Sequence, residues 1–113
     1  MGKFSFVCLV NAADGQDAAF SAWHTQEHLP AMVRHGGFVR AKRMRLVQPL
    51  DTQQDSYRYL ILYEGEVPDT AQALDALNRA IAAGQITFSD TLAPQSWAAV
   101  YEEIAGACYP APF

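Results

Sequence analysis

The sequence predicts an α+β domain with a four-stranded antiparallel sheet, in the ferredoxin-like order βαββαβ. Three observations carry this. Four segments are rich in β-branched and aromatic residues, two intervening segments repeat apolar residues at helical spacing, and the two kinds follow one another in the split βαβ order. At 113 residues the chain is read as a single domain over 1–113, long enough to bury one core.

Residues 3–11 form a near-continuous β-rich run, closed by the turn-prone Ala13-Asp14-Gly15. From Gln16 the pattern becomes helical, with Ala19, Phe20 and Trp23 on one stripe and Asp17 near the positive N-terminal end. Pro30 disfavours the helical region for Leu29, so this helix is expected to end near His28. Pro30 also suits the start of another short helical turn, which Gly36-Gly37 stops.

Residues 38–48 follow as a strand, and residues 49–56 as a loop. Residues 57–64, YRYLILYE, make the strongest strand, with Tyr57, Tyr59, Ile61 and Tyr63 on one side and Leu60 and Leu62 on the other. Asp69 or Thr70 caps a second helix, whose stripe of Ala73, Leu74, Leu77, Ala80 and Ile81 ends before Gly84. Residues 85–95 are polar and irregular. The closing strand alternates Trp97, Ala99 and Tyr101 against Ala98, Val100 and Glu102.

Composition excludes several functions. Half the chain is hydrophobic and 18% is charged, a globular balance without a disordered tract. The net charge of −4 argues against a general nucleic-acid surface. No apolar run approaches the roughly 20 residues of a membrane span, and FSFVCLV is too short for a secretory core. Phe6 stands where a myristoylation motif wants Ser or Thr. Cys8 and Cys108, with no C-x-x-C pairing, suit a reducing compartment, so a cytoplasmic location is expected.

Two helices cover only one face of a four-stranded sheet, and the other face is also apolar here. The cheapest cover is a second copy of the chain, so a homodimer with sheets face to face is expected, enclosing a cavity. Arg34, Arg40, Lys42, Arg43 and Arg45 fall within twelve positions. They are either a solvated strand face or, for Arg40 or Arg43, part of a polar pocket wall.

The densest chemistry lies in WHTQEHLP, residues 23–30, where His24-x-x-Glu27-His28 matches the pattern of inverted zinc peptidases. Two histidines four apart share a helix face, as zinc requires. The peptidase, however, needs a continued helix and a distant third ligand; Pro30 interrupts the helix, and nothing in the spacing of Glu64, Glu102 or Glu103 calls for a site. No metal is expected. His28 then has two readings: it caps its helix or bonds a neighbouring carbonyl, or it offers an imidazole to the cavity for proton transfer.

Trp23 followed by His28-Leu29-Pro30, then Gly37-Phe38-Val39-x-Ala41-x-Arg43, Tyr59-Leu60-x-Leu62-Tyr63-Glu64 and Tyr101-Glu102 resemble the dimeric α/β-barrel proteins around the EthD-like family. The resemblance runs from Phe4 to Ile104. It implies a homodimeric barrel of the kind shared by polyketide cyclases, methylmuconolactone isomerases and cofactorless monooxygenases, without selecting one reaction. Trp23 and His28 carry the motif directly.

The expected function is a small cofactor-independent enzyme acting on an aromatic or lactone-like acidic molecule by His28-mediated proton transfer: an isomerase, cyclase or lyase, with cofactorless monooxygenation as a variant. Arg40 and Arg43 hold a carboxylate or enolate in this reading. His24, Tyr59, Tyr63 and Trp97 complete the substrate-binding wall. Trp23 is read as packing, His35 as surface and Cys8 as core. No flavin, nucleotide or haem signature is present, so no cofactor is expected, and neither nucleic acid nor membrane is an expected partner. The alternative is a non-catalytic or stress-associated barrel that only holds a small hydrophobic ligand.

Overall fold

In the computed structural model, residues 2–50, 57–67 and 69–111 are described. The β-rich start becomes β1 (Gly2–Val10), and the central tyrosine-rich run becomes β3 (Tyr59–Val67). Between them lies β2 (Arg40–Arg45), and β4 (Trp97–Glu102) closes the sheet. The strand order is β2-β3-β1-β4, with every neighbouring pair antiparallel. This is the ferredoxin-like α+β architecture that the element order predicts.

The helical layer has α1 (Asp17–Trp23), a π-helical turn (His24–His28), α2 (Leu29–Gly36) and α3 (Thr70–Ala82). The Asp69 carboxylate caps α3 by accepting from the Gln72 N–H at 3.0 Å. Gly37, at φ 85°, ends α2 in the left-handed conformation that glycine adopts without a Cβ penalty.

The expected break at His28 does not occur. Leu29 stays helical, at φ −60° and ψ −47°, and the chain continues through Pro30 into α2. The wider π turn explains this. The Leu29 N–H bonds the His24 carbonyl, five residues back rather than four, so the chain enters α2 in a shifted register. Pro30 then occupies the first turn of α2, where its missing N–H is tolerated.

β2 is also shorter than the expected 38–48. Phe38 turns into the core, and the regular pairing ends at Arg45 opposite Tyr59, where β3 begins. Beyond it one further bond, Leu46 N–H to the Arg58 carbonyl at 2.7 Å, continues the ladder. Of the loop expected at 49–56, residues 51–56 lie outside the described residues.

Directly opposed residues of antiparallel strands share a face. Phe6 pairs with Tyr63 and Cys8 with Ile61, so these side chains meet the helices. Phe20 from α1, Met32 from α2 and Leu77 from α3 pack down on them. Phe20, Ile61 and Tyr63 are at most 1% exposed, and burying each side chain contributes about 1.5–3 kcal/mol. On the opposite face, Leu9 lies between Leu60 and Trp97, and Val7 between Leu62 and Ala99. Among the described residues nothing covers this apolar band: Met44, Trp97 and Tyr101 on it are 45%, 41% and 53% exposed.

Among the described residues, no helix is long and apolar enough to cross a membrane.

One position tests the sheet's contact with its own core. A Cβ on Gly65 would fall 2.6 Å from two atoms of the Phe4 ring, and Phe4 is itself packed 5.9 Å from Phe38. Gly65→Ala is expected to destabilise the fold by about 1–3 kcal/mol through overpacking. A urea titration should show the midpoint fall; an unchanged midpoint contradicts this packing.

Candidate active site

The π turn determines where the two histidines go. His24 and His28 sit on its inner side and are only 4% and 7% exposed. His24 lies 4.8 Å from the Phe20 ring and stacks on Trp23 at 12°, with centroids 5.6 Å apart. His28 lies 4.7 Å from Trp23, 5.3 Å from His24 and 5.3 Å from Phe88. Trp23, read from sequence as packing, is the shelf on which both imidazoles rest.

Both rings line a cavity of about 190 Å³ between the helices and the sheet. Its floor is Phe6, Cys8, Ile61 and Tyr63; Met32, Leu77 and Ile81 form the helical wall; and Phe88 and Leu92 come from the segment after α3. Dry apolar cavities of about 150 Å³ hold a benzene ring, so this space suits a single-ring molecule. It lies on the helix-covered face of the sheet, within one chain.

His28 has one hydrogen bond, between Nδ1 and the Thr87 carbonyl at 3.1 Å. A carbonyl only accepts, so Nδ1 carries the proton and Nε2 keeps its lone pair. Burial pushes the His28 pKa down from the ordinary histidine value, partly opposed by the Thr87 bond. His24 is lowered to about 3, by burial first, then by His28 and by the Arg43 cation. Burial raises the Cys8 thiol to about 12 and holds the Tyr63 phenol well above its usual range. The cavity wall is therefore uncharged at neutral pH: two neutral imidazoles, a thiol and a phenol.

The structure brings together His24, His28, Tyr63 and Trp97 from the expected set. Trp97 borders the cavity only through its position at the start of β4; its ring lies on the open sheet face with Leu9, 6.5 Å from Tyr101. Arg40, Arg43 and Tyr59 are not on the cavity wall. Register accounts for Arg40: opposite Glu64 it falls on the open sheet face, where its guanidinium pairs with that carboxylate at the surface. Arg43 falls on the helix face but behind the histidines. It stacks over Tyr59 and Phe20, 4.9 and 5.5 Å from their centroids, and donates to Thr25 Oγ1 and Ser21 Oγ at 2.8 and 3.3 Å. The expected arginine clamp for a carboxylate is absent from this wall. Cys8 is part of the cavity floor as well as of the core.

Sequence reasoning missed Thr87 and Phe88, because residues 85–95 read only as polar and irregular. Phe88, an isolated aromatic in a polar stretch, was a usable signal. The Thr87 carbonyl was not, since backbone acceptors leave no mark in side-chain identity. No group of three His, Cys, Asp or Glu that could hold a metal occurs among the described residues.

No family model and no curated protein matches the chain. Solved structures do. A protein from Shewanella loihica PV-4 described as a putative monooxygenase aligns over 94% of this chain and 99% of its own, with TM-score 0.55 and 16% identity. An ethyl tert-butyl ether D (EthD) family protein from Bacillus halodurans C-125 aligns over 92% and 100%, with TM-score 0.54 and 15% identity. HapK from Hahella chejuensis aligns over 99% and 100%, with TM-score 0.50 and 19% identity. The chain therefore shares the ferredoxin-like α+β fold of these proteins.

Proposed function

We propose that this protein is a small enzyme that moves a proton on a single-ring aromatic or lactone-like molecule, with His28 as the proton-transfer group and no cofactor in the step. The observation that carries the reading is the Nδ1–H to Thr87 carbonyl bond. It fixes the ring and its tautomer, leaving Nε2 as a base on a cavity wall. A depressed pKa keeps that base unprotonated at neutral pH. Tyr63 and Phe88 give the substrate aromatic surroundings. The structural likeness to a protein described as a putative monooxygenase supports a variant. Removal of a phenol proton by His28 is the first step of oxygenation that uses an electron-rich ring in place of a cofactor.

We further propose that the open face of the sheet is covered by a second copy. Leu9, Leu60, Leu62 and Trp97 form an apolar band across the sheet, flanked by the Arg40–Glu64 pair, which is self-complementary across a twofold axis. Light scattering at micromolar concentration should return twice the chain mass. A monomer contradicts the dimer and leaves the intrachain cavity untouched.

His28→Gln should lower turnover about 100-fold, while the circular dichroism spectrum stays that of the parent. The working form is the neutral ring, and burial depresses its pKa. The rate should therefore hold as pH falls through 6.5 and decline only at lower pH. Unchanged turnover in the variant, or a decline centred at or above pH 6.5, contradicts the role given to His28.

A further inference from the structure

We infer that His24 is a second catalytic residue, a hydrogen-bond donor to a carbonyl oxygen, and that the substrate is an uncharged carbonyl compound with an enolisable C–H, such as a cyclic ketone or lactone. This rests on His28 as the base of the same cavity.

His24 is only 4% exposed, and among the described residues its buried Nδ1 has no hydrogen-bond partner. An orphaned buried N–H is the rarer and costlier arrangement, so Nδ1 carries the bare lone pair and Nε2 the proton. The Arg43 field and burial both oppose a second proton on the ring. The tautomer is thus the reverse of that of His28, where Thr87 holds the proton on Nδ1.

Two neutral imidazoles with opposite tautomers, 5.3 Å between centroids on the wall of one cavity, form a base beside a donor. That is the equipment for enolisation. His28 Nε2 takes the α-proton; the C–H electron pair becomes the new C=C bond, and the carbonyl π pair moves onto oxygen, where the His24 Nε2–H bonds it. If the proton on His28 is first traded for a deuteron from solvent, its return to the same carbon gives exchange; delivery to a conjugated carbon gives isomerisation. No electrons leave the substrate. A neutral imidazole suits the donor role, because it polarises the carbonyl without first being deprotonated.

The absence of a charge on the wall sets the substrate's own charge. Arg40 is at the surface with Glu64, and Arg43 is engaged by Thr25 and Ser21 behind the ring. A buried carboxylate would have no cationic partner on this wall, which is costly. A neutral ring with a single oxygen has its needs met.

The test uses cyclohexanone, a neutral single-ring ketone, in heavy water, with loss of the α-proton signal followed by NMR. The wild-type protein should accelerate exchange over buffer. His24→Phe, which keeps the stacking surface and removes the donor, should lower the rate at saturating ketone about 100-fold. His24→Gln, which restores an N–H, should recover at least tenfold of that loss. Wild-type exchange in His24→Phe overturns the donor role. So does an equal loss in both variants, because the N–H then makes no difference. No acceleration by the wild type overturns the substrate class. The His28 reading falls separately, and only if His28→Gln retains full activity.

Discussion

The bond from the Leu29 N–H to the His24 carbonyl holds the site in place. By reaching back five residues it widens one turn of a helix that Pro30 would otherwise interrupt, and it lets α2 continue from α1 without a break. Both histidines lie on the inner side of that turn, over the sheet. A regular α-helical turn through the same residues would need the Pro30 N–H that does not exist. The fold and the site thus share one local solution to one proline.

Enclosure and neutrality follow from that placement. The rings pack against Trp23 and Phe20, lose their water, and lose with it the stability of the charged form. What remains is polar but uncharged, which distinguishes this cavity from an arginine-lined acid pocket. The segment after α3 closes the arrangement from the other side. Its Thr87 carbonyl determines which nitrogen of His28 is free, and its Phe88 covers that ring.

Much of the fold was legible because strand periodicity and helical periodicity do not overlap. Tyr59, Ile61 and Tyr63 alternate cleanly with Leu60 and Leu62, and β1 and β4 show the same division in their registers. His24 and His28 were legible as chemistry because two imidazoles four apart must fall near one face. Their setting was not. The preference of a residue before proline is statistical, and at Leu29 the helix on both sides overrides it. The arginines show a different limit. Arg40 and Arg43 are three apart, so in a strand they face opposite sides, and only the register opposite Glu64 and Ile61 decides which meets water and which meets Phe20.

Ring-nitrogen NMR across a pH titration tests the central claim most directly, because it reads protonation and tautomer at each histidine without any ligand. At pH 7 both His24 and His28 should be neutral, with the proton on Nδ1 of His28 and on Nε2 of His24, and His24 should stay neutral down towards its depressed value of about 3. A titration midpoint at or above 6.5 for either ring, or a His28 proton on Nε2, contradicts it.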